Sequence, residues 1–476
     1  QAGRFQAALP LWAQARLQAN ALRDTDTEAR AWLGEARTYL ALGRIPFAIQ
    51  RLTRAYTLAE ANKLAALQGP ILAALGQAQF LAGEPDQARE SLTRALAAAQ
   101  QRNDLELAAR SANDLARLES EAGNTQQAAT LFRQAIAAAA SSGHRELEAT
   151  AAVNLARLPI EPKEKQRALA QAEQQALSLA PSYVRSQVLI NIGRLLAENM
   201  QAADPPDSSR RRAAAAFDAA AVTARGMNDR RSLSYALGYR GAIDEQYGQV
   251  TAALDLTREA AREARLADAP ESLYLWEWQA GRLLRRLGDE DGALVAYRVA
   301  ARTLEQIRQD LAAGGRSSFR KQAGPVYIGL ADLLIQRAER RPNTAGMAAD
   351  LQEARLTVEA LKGAELEDFF QDDCVAALKS KTRGIDTLAP GTAALYPVIL
   401  PDRLAILVSM PAGMRVYSTP VSAQQVEAET RALRQALENR TTREYLAPAR
   451  RIYDWVMRPA EADMAHRGIR RSRGGG

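Results

Sequence analysis

The stretch GRFQAALPLWAQA, residues 3–15, sets a frame that most of the chain repeats. Gly3 is followed by Ala8, Trp12 and Ala15. The same spacing recurs at Gly43, Ala48, Leu52 and Ala55, at Gly83, Ala88, Leu92 and Ala95, and at Gly123, Ala128, Phe132 and Ala135. After a gap it returns at Ser208, Ala213, Phe217 and Ala220, then at Gly248, Ala253, Thr257 and Ala260, and at Gly288, Ala293, Tyr297 and Ala300. Within each run the step is 40 residues. Glycine accepts the left-handed backbone that ends a helix, where a Cβ is penalised. Two alanines seven apart, with a large residue between them, share one face of the next helix. A further small residue precedes the glycine by seven, at Ala36, Gly76, Ala116, Gly241 and Gly281. It is expected to admit the partner helix closely. A hairpin of this kind buries its apolar face only by stacking on its neighbours, so the spacing predicts an α-helical solenoid.

The pattern resembles the tetratricopeptide repeat (TPR) in a longer-helix form of about 40 residues. The resemblance covers approximately residues 1–312. It is interrupted near 159–212: PIEPKEKQRALAQAEQQALSLA (159–180) is helical in composition but lacks the turn glycine and the large residue. One degenerate repeat with an insertion fits this interval. ADPPDSSRRRA (203–213) reads as a loop, either a hinge or a surface insertion.

Composition agrees with a mainly α chain. The 476 residues are 47% hydrophobic, 25% charged and only 5% aromatic, with alanine throughout, which favours helices over strands. One cysteine excludes a disulfide framework and a Cys-based zinc site within the chain. His144 and His466 are the sole histidines, so neither a metal nor a cofactor is expected. No apolar run is long enough to span a bilayer. The net charge of +7 is mild, and nucleic acid is not an expected partner. The chain opens on Gln1, not Met, and therefore reads as a processed product or fragment. It is expected to be soluble, with a cytoplasmic or exported location left open.

The pattern changes after residue 312. AAGGRSSFRKQAGP (312–325) is a Gly/Ser-rich break. Helices are predicted over 325–340 and 347–367, as a cap or connector spanning 313–362. Then come TAALYPVIL (392–400), RLAILVSMP (403–411) and MRVYSTPV (414–421), three short apolar or β-branched runs separated by turn residues. They predict an antiparallel meander with Val398, Leu400, Ile406 and Val408 in its core. Helices are predicted over 422–440, with Ser422 as N-cap, and over 443–464, with Pro448 inside and a late break at Pro459.

GAELEDFFQDDCVAAL (363–378), the three strand runs with their following helix, and EYLAPARRIYDWVMRPAE (444–461) resemble the opening part of a CHAT domain. That family is caspase-related and usually follows TPR arrays. The resemblance covers residues 363–464 and implies a TPR-regulated cysteine peptidase as the intact parent, working through a His/Cys dyad. The catalytic half has no counterpart here, because the sequence runs into AHRGIRRSRGGG (465–476), read as a disordered basic tail. Cys374 precedes His466, the reverse of the family order, and Asp372 and Asp373 beside it disfavour a thiolate. No catalytic residue is therefore expected in this chain. Asp368, Asp372 and Asp373 form either a cation site or a solvated acidic turn. His144 reads as a surface turn residue.

Function is expected on the first helix of each hairpin. Counting back from each turn glycine selects Arg30, Leu33, Arg37 and Leu40; Pro70, Ala73, Gln77 and Phe80; Arg110, Asn113, Arg117 and Ser120; Tyr235, Gly238, Ala242 and Glu245; and Leu275, Trp278, Arg282 and Arg285. The polar and aromatic subset Arg30, Arg37, Gln77, Arg110, Asn113, Arg117, Trp278, Arg282 and Arg285 suits an acidic or C-terminal peptide, since guanidinium offers paired donors to a carboxylate. The competing reading of these arginines is solubility alone. The expected role is a protein–protein interaction scaffold; the alternative is a regulatory solenoid of a signalling or transcription protein with no peptidase role.

Overall fold

The computed structural model describes residues 2–198, 208–308, 319–370, 392–410, 413–438 and 443–466. It divides into two compact units, residues 1–243 and 244–476. In the first, α1 (Ala2–Ala21), α2 (Thr25–Ala41), α3 (Ile45–Ala61), α4 (Ala65–Leu81), α5 (Pro85–Gln101), α6 (Leu105–Glu121) and α7 (Thr125–Ser141) follow one another through three-residue turns. Then come α8 (Arg145–Arg157), α9 (Pro162–Ser178), α10 (Tyr183–Glu198), α11 (Ser208–Gly226) and α12 (Arg230–Gln246).

The unit of construction is half the sequence repeat. A left-handed residue occurs every 20 positions, at Arg23, Gly43, Lys63, Gly83, Asn103, Gly123 and Gly143, and again at Asn228, Gly248, Asp268 and Gly288. Each turn closes the same way. At Gly43, φ +71°, the Gly43 N–H donates to the Leu40 carbonyl at 3.0 Å and the Arg44 N–H to the Tyr39 carbonyl at 2.9 Å. Those two bonds satisfy carbonyls that the helix end leaves open. The same pair forms at Lys63, where Leu64 donates to Ala59 at 2.8 Å. Sequence reasoning found only the glycine turns, because the alternate ones share no residue type.

A side chain in the left-handed region costs about 1 kcal/mol, and glycine carries an entropic cost of similar size in the unfolded chain. Lys63→Gly is therefore expected to change stability by less than about 0.5 kcal/mol. Gly83→Ala, with φ +79°, is expected to lower it by about 1 kcal/mol. Thermal melts of the two variants check this, and a loss in the first as large as in the second would contradict it.

Small residues let the helices meet. Ala48, Leu52, Ala55 and Ala59 of α3 are all fully buried. A Cβ added at Gly76 would lie 2.6 Å from Cγ of Leu92, the large residue of the next helix. The small residue seven before the turn thus receives the large residue after it, as the spacing predicts.

The irregular middle is a hairpin with proline turns. Pro159 forces its predecessor out of the α region, and Leu158 is extended at φ −68°, ψ 152°. Helix α8 stops after 13 residues in place of 17. Leu179, two before Pro181, is likewise extended.

The second unit contains α13 (Val250–Leu266), α14 (Pro270–Arg286) and α15 (Glu290–Gln306), followed by α16 (Phe319–Glu339) and α17 (Ala345–Phe370). Helix α16 begins six residues before the predicted start and runs through Pro325. Packing of Ala323, Val326 and Tyr327 against Leu304, Ile307 and Leu361 holds that turn in spite of the missing N–H. Strands β1 (Ala394–Ile399), β2 (Leu404–Met410) and β3 (Gly413–Thr419) form the antiparallel meander in the order β1-β2-β3. Every residue of β2 is buried, because both faces are covered. Val398, Leu400, Ala405 and Leu407 join the core of α16 and α17. Leu404, Ile406, Val408 and Met410 pack with Trp455, Ala460 and Met464. Those last residues belong to α19 (Leu446–Val456) and α20 (Arg458–His466), which follow α18 (Ala423–Glu438). Ser422 caps α18, its Oγ accepting from the Gln425 N–H at 3.3 Å.

Candidate functional site

In the first unit each even helix, from α2 to α10, packs on the next even helix as well as on its sequence neighbours. The even helices therefore form one continuous row. Arg37 on α2, Gln77 on α4 and Arg110 on α6 come together there, around a cleft of about 580 Å³. Leu40, Pro70, Ala73 and Leu107 supply its apolar wall, and Asp104, Glu106 and Asp114 its acidic side.

The charges in the cleft are unevenly matched. Arg110 donates to Glu106 of its own helix at 2.8 Å. Glu106 also lies 3.0 Å from Nε2 of His144, which occupies the turn before α8. Among the described residues Arg37 has no ion-pair or hydrogen-bond partner. Burial, and next the positive charge of Arg110, hold its pKa below the usual guanidinium value, while Glu106 opposes. Burial pushes the Asp114 carboxyl up; Arg117, Asn113 and Arg110 pull the other way. The cleft thus contains a guanidinium that has no direct ion-pair partner among the described residues and on which Glu106 acts only at longer range.

The remaining candidates separate. Asn113 accepts from Asn154 Nδ2 at 3.0 Å across to α8. Arg117 lies 3.8 Å from Asp114 and 5.4 Å over the Phe80 ring. Arg30 pairs with Asp26 at 2.6 Å on the exposed side of α2, away from the cleft lining. In the second unit Arg282 makes two bonds to Glu245, at 2.9 and 2.6 Å, and stacks 4.2 Å over Trp278. Arg285 donates to Asp332 at 2.8 Å. Those two guanidiniums tie neighbouring helices together.

Two residues escaped the count from the glycines. The segments NDLARL (113–118), VNLARL (153–158) and INIGRL (190–195) place Arg117, Arg157 and Arg194 at matching positions on α6, α8 and α10. Neither α8 nor α10 ends in a turn glycine, so the frame passed over them. The segment repeat itself was the available signal.

Cys374, Asp372, Asp373 and the tail arginines lie outside the described residues, as do the side chains of Asp368 and His466. Among the described residues no group of three or more His, Cys, Asp or Glu side chains is placed to hold a metal. No described helix is long and apolar enough to cross a membrane.

Residues 68–141 match the family model of the tetratricopeptide repeat. They run from α4 through α7, so the match falls on the cleft-forming part of the array. The turn geometry found within this match recurs at the same 20-residue step on either side of it, and the helical array is TPR-like. The comparison with curated proteins finds no match. Among solved structures the chain is similar to BtubC from P. vanneervenii, at 16% identity over 62% of this chain and 94% of that one, with a TM-score of 0.32. It is similar to the Rap conjugation gene regulator of plasmid pLS20 in complex with the Phr* peptide, at 14% identity over 63% and 80%, with a TM-score of 0.39. It is also similar to the TPR2AB domain of yeast Sti1 in a pHSP90 complex, at 13% identity over 64% and 99%, with a TM-score of 0.24.

Proposed function

We propose that this chain is a protein-interaction scaffold whose even-helix row holds an extended acidic peptide. The observation that carries the reading is Arg37, a guanidinium in a cleft beside Gln77 and Arg110 with no direct partner among the described residues. A carboxylate entering there gains a charge-assisted bond, and Arg37 gains a direct partner. Gln77, which has no hydrogen bond among the described residues, offers both a donor and an acceptor to a peptide backbone. The apolar wall accommodates aliphatic side chains.

Residues 363–464 are read as the opening part of a CHAT-like domain, on the segments quoted above. The antiparallel meander with helices on both faces supports an α/β block there. On that reading the intact parent is a peptidase and the array its partner-binding arm.

The test is fluorescence anisotropy with a labelled peptide library of random sequence, in one form ending in two glutamates and in the other in two glutamines. The acidic form is expected to bind about tenfold tighter. Replacing Arg37 and Arg110 together with Gln is expected to erase most of that difference. Equal binding of both forms to the parent chain would exclude an acid-selective cleft.

A further inference from the structure

The row continues beyond the cleft into a second cationic cluster. Arg117, Arg157 and Arg194 sit on three successive even helices, α6, α8 and α10, and α8 packs on both of the others. Their acidic neighbours are few. Arg117 has Asp114 at 3.8 Å and Arg194 has Glu198 at 3.8 Å, both at long ion-pair distance. Arg157 has only a 3.4 Å hydrogen bond to Asn154 Oδ1, and no carboxylate partner among the described residues. Arg117 lies over Phe80, and Arg194 lies 5.2 Å over Tyr239, so rings support the two outer guanidiniums. Asn154 and Asn191 stand one helical turn before Arg157 and Arg194.

From this placement we infer that Arg117, Arg157 and Arg194 form a phosphoryl-binding site for a phosphorylated side chain of the same peptide partner. The inference rests on the peptide reading of the row and specifies its chemistry. Three guanidiniums follow one another along the row, close enough for Arg194 and Arg117 to act on the charge of Arg157, and a single carboxylate there leaves most of their donors unused. A phosphoryl group brings nearly two charges and three acceptor oxygens, which suits three forked donors. The cluster is self-repelling: burial, then Arg194, and more weakly Arg117, lower the Arg157 pKa against the opposing Glu198. A dianion removes that repulsion. The asparagine amides alongside suit the peptide backbone that carries the phosphate. This favours a phosphopeptide over free nucleic acid, whose bases call for a longer run of exposed rings.

The experiment uses the full chain and three labelled random-sequence peptide libraries, with phosphoserine, glutamate or serine fixed at the centre. The phosphoserine library is expected to bind about tenfold tighter than the glutamate library. Arg157→Gln and Arg194→Gln are each expected to collapse that ratio toward one. Arg37→Gln is expected to weaken the phosphoserine and glutamate libraries by the same factor. Arg157→Gln removes a like charge, so its melting temperature in the absence of peptide is expected to equal or exceed that of the parent. Equal binding of the phosphoserine and glutamate libraries, with the serine library weaker, would overturn the phosphoryl site and leave the acidic-peptide reading standing. Binding of none of the three would overturn both. Displacement of the phosphoserine library by a single-stranded oligouridylate at lower concentration than by free phosphoserine peptide would assign the cluster to nucleic acid instead.

Discussion

Asp332→Ala is expected to destabilise the second unit by about 3 kcal/mol. Asp332 on α16 accepts from Arg285 of α14 at 2.8 Å and from Arg403 of the β1–β2 turn at 2.6 Å. Gln336 donates to it as well, at 3.2 Å. One carboxylate thus joins the helical array, the helix pair that follows it and the sheet. Arg403 is 14% exposed and Asp332 13%. Removing the aspartate strands the Arg403 guanidinium with only the exposed Asp402, at 3.2 Å. An uncompensated charge at low exposure costs more than the pair contributes, so the variant loses stability. Hydrogen exchange locates the effect: amides of residues 394–410 should exchange faster, while those of 25–157 should not change. Replacing Asp332 with Leu and Arg403 with Met together should restore much of the loss, because the cost arises from the orphaned charge. Equal protection of the β1 and β2 amides in parent and Asp332→Ala would refute the clamp.

Gly281→Ala and Gly329→Ala are each expected to cost about 2 kcal/mol. The direction is diagnostic, since Gly→Ala inside a helix ordinarily stabilises by about 1 kcal/mol. Tyr297 is wedged between the two glycines. A Cβ at Gly281 would lie 2.7 Å from its Cδ2, and one at Gly329 2.7 Å from its Cε1. The ring is 3% exposed and has nowhere to move. Burial also pushes its hydroxyl pKa up, with Asp332 and Glu245 adding to that and Arg282 and Arg285 opposing. In earlier hairpins the equivalent residue is Leu52 or Leu92, so Tyr297→Leu should relieve either alanine. A double-mutant cycle in urea is expected to give a favourable coupling of about 1–2 kcal/mol. Additive losses would show that the ring is not the obstacle.

The 40-residue frame was legible because Gly43, Gly83 and Gly123 announce it, and the small-to-large packing was legible in Gly76 and Leu92. The 20-residue half-step was not. Its alternate turns use Lys63, Asn103 and Asp268, which share a backbone conformation and no chemistry. The strands were legible as apolar runs between Pro, Asp and Gly turns. Helix α16 starts earlier than the sequence suggests because residues 312–325 read as a Gly/Ser-rich break, and only the packing partners Leu304 and Leu361 reveal why its turn at Pro325 is tolerated. Of the candidate site, back-counting placed Arg37, Gln77 and Arg110 on the cleft. It could not foresee that Arg282 and Arg285 are tied up, since Glu245 and Asp332 lie 37 and 47 residues away. Arg157 and Arg194 were visible in their own segments but invisible from the glycines.

The three-residue turns at a constant step also fix which edits the gene tolerates. One residue added inside a helix rotates everything after it by about 100°. Such an insertion in α6 before Arg117 would swing that arginine off the row and turn Leu118 toward water. Whole multiples of 40 leave every face in phase and every helix in its own row, so growth by duplicated hairpins is safe where growth by single codons is not. The stretch from 143 to 198 departs from the step and still carries Arg157 and Arg194 in line. It does so because its slack sits in the loops around Pro159 and Pro181, while its helices keep their phase. Length variation among relatives of this chain should accordingly collect at those proline loops and spare the glycine turns.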